Sequence, residues 1–162
     1  MLILLEGLGM AFWLLLVCVV GIAKGGPVGL VTFYEQDVQD RVVELGLTTK
    51  EKIKKSETIA GISLFFPVII VVPIMVYCYN GAKGFVDGFT QMTIIYMIMN
   101  LFDRLFVDEW WVCRTNAWLI PGTEDLKPYI TNKVRIAKWV KTCIGFPVLA
   151  AIIAGIVNVV GK

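Results

Sequence analysis

Thr93, Tyr96, Asn100 and Asp103 follow one another by three, four and three residues inside an apolar run. On a helix at about 100° per residue they fall within an arc of roughly 80°. Thr90 and Asp87 extend the stripe toward one end. Polar side chains lined up in this way do not face lipid. They either hydrogen-bond to neighbouring helices or line a path for an ion or small polar solute.

The stripe runs into a charged sequence, Asp103-Arg104-Leu105-Phe106-Val107-Asp108-Glu109-Trp110-Trp111. Arg104 and Asp108 stand four apart and can pair along one helix face. Three carboxylates within seven residues could hold a hard cation, or supply an acid and a base beside a lipid headgroup. On a straight helix, however, Asp103 and Asp108 point about 140° apart. No metal site is therefore expected, and no cofactor is named by any motif. Asp103-x4-Asp108 matches no aspartate motif of membrane lipid enzymes, and no Walker-type phosphate loop occurs.

The following stretch, Trp110 to Tyr129, mixes Trp111, Arg114, Asn116, Trp118, Pro121, Gly122 and Pro128. This density of aromatic, Arg and turn residues predicts an ordered segment that covers the inner mouth of a bundle or anchors at the interface. Arg104, Asp108, Glu109, Trp111 and Arg114 form the candidate inner-face cluster. Glu6 is the one charge in the first apolar run. In a symmetric oligomer it would form a carboxylate ring at an outer mouth, as cation pores use. Two lysine-rich groups, Lys50, Lys52, Lys54 and Lys55, then Lys133, Arg135 and Lys138, are candidate contacts for anionic headgroups.

Histidine is absent. That excludes Ser-His-Asp and Cys-His nucleophile schemes and the commonest metal ligand. Cys18, Cys78, Cys113 and Cys143 form no C-x-x-C pair, so neither a zinc ribbon nor a redox dithiol is suggested.

The elements that must position these residues follow from hydropathy. The chain has 162 residues, 57% hydrophobic, with a mean hydropathy of +0.76. Soluble domains are about 45–50% apolar. Four apolar runs stand out, at about 2–23, 59–79, 85–106 and 139–160, each long enough to cross a hydrocarbon core of about 30 Å. The expected fold is all-α, a single polytopic membrane domain of four transmembrane helices. No Lys or Arg precedes the first run, so it reads as a retained span rather than a cleaved signal.

Thirteen of the fifteen Lys and Arg residues lie in 24–57 and 103–141. The positive-inside bias places the segments 24–57 and 107–138 in the cytoplasm and both termini outside, in a plasma or inner membrane. Val31, Tyr34, Val38, Val42 and Leu45 recur at helical spacing, which predicts a cytoplasmic amphipathic helix between the first two spans, stopped at Gly46. Its other face, Glu35, Asp37, Asp40, Arg41 and Glu44, is net acidic, and suits the chain's own basic segments or a partner. Thr48 and Glu51 suggest a capping box for the next helix. Pro67, Pro73 and Pro147 predict kinks whose freed carbonyls neighbouring helices must satisfy. Ala150/Ala154 and Ala151/Gly155 permit close helix contact.

Three functions fit this pattern. The first is movement of an ion or small polar solute along the span-three stripe of a small oligomer. The second is an enzyme acting on a lipid or amphiphile at the cytoplasmic leaflet. The third is a scaffold or assembly subunit of a membrane complex. The expected partners are the bilayer and further copies or a larger membrane complex, with no nucleic acid.

Overall fold

The computed structural model describes residues 1–160. Those residues are mostly helical, joined by turns and irregular segments, with no strand among them. Four helices are long and apolar enough to cross a membrane: α1 (Leu2–Gly29), α3 (Lys50–Tyr79), α4 (Gly84–Val112) and α5 (Asn132–Val160). Between α1 and α3 lies the short helix α2 (Gln36–Glu44).

Local sequence explains the ends. Gly26 takes φ +60 and kinks the last turn of α1, a conformation that costs glycine little. The amphipathic helix begins later than the spacing suggests. Val31–Phe33 forms a 3₁₀ turn, and extended backbone at Tyr34 and Glu35 precedes α2. Val31, Tyr34, Val38 and Val42 are buried as expected, whereas Leu45 is exposed. At the end of α2, Leu47 N–H donates to the Val42 carbonyl and Gly46 N–H to that of Val43, with Gly46 at φ +71. This is the paired-bond stop that a left-handed glycine provides. The start of α3 falls one residue later than Thr48. Thr49 is the cap, and its Oγ1 accepts from Lys52 N–H at 3.3 Å. Helix α5 is capped by Thr131 and so starts well before Trp139.

Two of the proline sites are satisfied from neighbouring helices. Pro67 has no N–H for the Ser63 carbonyl four residues back, and Trp13 Nε1 of α1 donates to it at 2.9 Å. Around Pro73 the helix is π-wound, with Val72 N–H reaching the Pro67 carbonyl. Continued, that winding would pair Pro73 with the Val68 carbonyl. Tyr96 Oη of α4 donates there instead, at 2.7 Å. Interior irregularity is tolerated in an apolar bundle only where such partners exist.

Two apolar cores form among the described residues. One lies inside the bundle, where Met92, Ile95, Tyr96 and Met99 of α4 meet Val68, Val72 and Val76 of α3, Met10 of α1, and Ala150 and Ala154 of α5. Both alanines are fully buried, so this small pair serves contact within the chain. The second core caps one end. There Tyr34, Val38 and Val42 pack on Trp118, Ile120, Tyr129 and Ile130, with Cys18, Val107 and Val112 beneath. Thus the two long connections meet at the same end. Tyr34 Oη donates to the Trp118 carbonyl at 2.5 Å, and Arg41 pairs with Asp125 at 3.3 Å. The start of α1 and the α3–α4 turn lie at the other end, where Asn80 Nδ2 donates to Glu6 Oε2 at 2.8 Å.

Candidate functional site

Five of the six ion pairs among the described residues gather around the charged sequence at the foot of α4. The helix is π-wound from Asp103 to Val112. A π turn closes on the fifth residue, so Asp103 and Asp108 come onto one side. The 140° separation expected of a straight helix does not hold. Arg104 lies between them and its guanidinium bonds both carboxylates. Lys138 Nζ of α5 donates to Asp108 at 2.8 Å. The result is two acids and two bases in mutual contact, all more than two-thirds buried.

A second group sits outside the first. Glu109 pairs with Arg135 at 3.1 Å and with Arg114 at 3.5 Å. Both pairs are more exposed, and such pairs stabilise little. Trp111 lies edge-on to Trp118, with centroids 5.4 Å apart. Of the inner-face candidates, Arg104, Asp108, Glu109 and Arg114 thus lie in ion pairs here, with Asp103 of the stripe and with Arg135 and Lys138 of α5, while Trp111 packs on Trp118.

Two cavities flank the quartet. The larger, about 420 Å³, is walled by Leu14, Cys18, Leu64, Phe65, Trp118 and Ile130, with Asp103, Arg104, Asp108, Lys138 and Lys141 as its charged part. The smaller, about 220 Å³, shares Arg104, Asp108 and Lys138 and adds Glu109, Arg135 and Trp139. The larger falls within the ~300–1,000 Å³ of small-molecule sites. Its roof is the cap core. There burial raises the Tyr34 phenol well above its ordinary pKa, with Tyr129 adding to the effect. Tyr34 stays a neutral donor to the Trp118 carbonyl. Thr123 Oγ1 and Tyr129 Oη, 2.7 Å apart, hold the other side of the loop. The segment from Trp110 to Tyr129 is thus ordered, and it covers the end of the bundle.

The stripe higher on α4 is packed in protein. Tyr96 is 0% and Asn100 4% exposed. Tyr96 is bonded to Val68, and Asn100 Nδ2 donates to the Tyr96 carbonyl at 2.8 Å. Thr93 Oγ1 is buried without a partner. Of the four stripe residues, only Asp103 lines either cavity. Glu6 belongs to a chain of hydrogen bonds at the opposite end, through Asn80 and Gln91 to Asp87.

Lys50, Lys52, Lys54, Lys55 and Lys133 are exposed and make no ion pair among the described residues. Of the net acidic face of α2, only Arg41 makes an ion pair among the described residues, with Asp125; docking through Val38 and Val42 leaves Asp37 and Glu44 outside. No group of three potential metal ligands comes together among the described residues.

Sequence reasoning did not place Tyr34, Leu64, Phe65, Cys18 or Lys141 at this site. Only Tyr34 carried a signal, as part of the apolar face before α2. The others come from three different spans, and nothing local in the sequence aligns them. Comparisons with protein-family models, with curated proteins and with solved structures find no match to this chain.

Proposed function

We propose that this chain is an integral membrane protein that binds an amphiphile at the cytoplasmic end of its four-helix bundle. The observation that carries this reading is the 420 Å³ cavity, apolar on the Leu14, Leu64 and Phe65 side and charged on the Asp103, Arg104, Lys138 and Lys141 side. A molecule with one apolar and one polar end matches both linings. The depth of the cavity along the bundle also fits a headgroup position, because the exposed Lys50–Lys55 cluster lies at the same end.

The orientation follows from charge. Both Lys- and Arg-rich connections lie at one end, which the positive-inside bias assigns to the cytoplasm. Exposed Ile144, Val148, Ile152 and Ile156 on α5, with Ile62, Phe66 and Ile69 on α3, would face lipid. A contiguous apolar surface of this kind needs such a cover.

Movement of a solute along the span-three stripe is the competing proposal. It would require Tyr96 and Asn100 to exchange their internal hydrogen bonds for water. Acid–base chemistry on a bound amphiphile would fall to Asp103 and Asp108, both of which are held by Arg104.

The test is retention of single-chain amphiphiles by the purified protein, read by native mass spectrometry. Wild type should retain one molecule per chain. Leu64→Trp, which narrows the cavity, should lose it, and Ile152→Ala on the outer surface of α5 should not. Equal retention by wild type and Leu64→Trp would refute a cavity site.

A further inference from the structure

We infer that the polar end of the occupant is an anion that accepts hydrogen bonds, a carboxylate or a phosphate ester. This rests on the amphiphile reading and deepens it. Among the described residues, five buried side-chain polar atoms have no hydrogen-bond partner. Two of these can only donate: Arg104 Nε and Trp118 Nε1. Both side chains line the same cavity, and Trp118 is only 3% exposed. A buried donor without an acceptor is costly, and one acceptor-bearing group in this cavity could serve both.

The charges of the lining agree. Its two carboxylates, Asp103 and Asp108, already accept from Arg104 and Lys138. Each already has a cation beside it, Arg104 for Asp103 and both Arg104 and Lys138 for Asp108. Lys141 lines the cavity and makes no ion pair among the described residues. Three cations thus meet two carboxylates that are already paired, and an arriving anion completes the balance. With Nη1 and Nη2 of Arg104 taken by Asp108 and Asp103, Nε is the donor left for an oxygen of the anion. A neutral alcohol has one hydroxyl to share and no charge to bring to Lys141.

The experiment compares four probes of one chain length on the full protein in neutral detergent: dodecanoic acid, dodecyl phosphate, dodecanol and dodecyltrimethylammonium. Affinity is read by competition in native mass spectrometry. At least one anion should bind about tenfold or more tightly than the alcohol, as expected for hydrogen bonds to a charged group. The tighter of the two anions identifies the headgroup. Trp118→Phe keeps an aromatic ring, though a smaller one, and removes the N–H. It should weaken the anion about tenfold and leave the alcohol within about twofold. Lys141→Gln, at an exposed position, should act in the same direction without threatening the fold. If the alcohol or the ammonium binds as well as both anions, this inference is overturned while the cavity site stands. If no probe binds, both fall.

Discussion

Tyr96→Phe is the most discriminating test of how this bundle tolerates its prolines. The substitution removes one oxygen from a fully buried ring and preserves the ring contact with Phe146 at 5.8 Å. The loss is the donor to the Val68 carbonyl. Continued from Val72 N–H, which reaches the Pro67 carbonyl, the winding aims the Val68 carbonyl at Pro73, which has no N–H. Leaving a buried carbonyl unpaired costs about 1–3 kcal/mol in a protein interior. Interhelical bonds in membranes average about 0.6 kcal/mol with a maximum near 1.7, because the unfolded chain in lipid also finds partners. The expected cost is therefore about 1 kcal/mol, roughly a fivefold change in the unfolding equilibrium. Reversible unfolding in mixed micelles, followed by far-UV circular dichroism, resolves this. The decisive comparison is made in a Pro73→Ala background. Alanine restores an N–H that can pair within α3, so the same Tyr96→Phe change should then cost close to nothing. A double-mutant cycle isolates the coupling. An equal cost in both backgrounds would refute the claim that Tyr96 stands in for the missing proline donor.

Three further outcomes are expected. Trp13→Phe removes the donor to the Ser63 carbonyl and should destabilise by about 0.5–1.5 kcal/mol in the same unfolding assay, an effect that Pro67→Ala should reduce. Ala154→Leu forces a larger side chain into the fully buried α4–α5 contact and should cost about 1–3 kcal/mol, whereas the same change at Gly155, which has open space at its Cβ position, should be tolerated. Single cysteines at Lys50 and Arg114 should react with an impermeant maleimide from one side of sealed vesicles and a cysteine at Lys83 from the other; reaction of positions 50 and 114 from opposite sides would contradict the shared end that Tyr34 and Trp118 define.

Much of the architecture could be read from the sequence, because hydropathy and helical spacing are local signals. The four long apolar helices appear where the runs predict them. Val31, Tyr34, Val38 and Val42 are buried as their spacing requires. The boundaries were less legible. Thr48 and Thr49 are both good caps, and only the geometry at Lys52 selects the second. The helical spacing also passed smoothly from Val31 to Leu45, although extended backbone at Tyr34 and Glu35 interrupts it. The site was legible in part. Arg104 with Asp108 is a four-residue pairing visible in any helix. The approach of Asp103 to Asp108 was not, because it depends on π winding, and an angle computed at α pitch points the wrong way. The apolar walls from Leu14, Leu64 and Phe65 depend on how three spans cross, and spacing within one span says nothing of that.

The ionic quartet itself argues for a role other than stability. Taking Asp103, Arg104, Asp108 and Lys138 out of water carries a desolvation cost that their attraction barely recovers. Replacing such buried groups with apolar residues of similar size is often neutral or stabilising by about 1–4 kcal/mol. An apolar substitute would be easier still in a chain this rich in apolar residues. Yet the quartet is not insulated. It borders both cavities, and one bordering base, Lys141, has no acid of its own among the described residues. The π-wound stretch Asp103–Val112 on α4, which carries three of the four, is itself a departure from ordinary α winding, and such bulges recur at functional sites. Costly charge, irregular winding and unpaired donors coincide at one end of the bundle. Interhelical packing alone requires none of the three there, whereas a bound anion would use all of them.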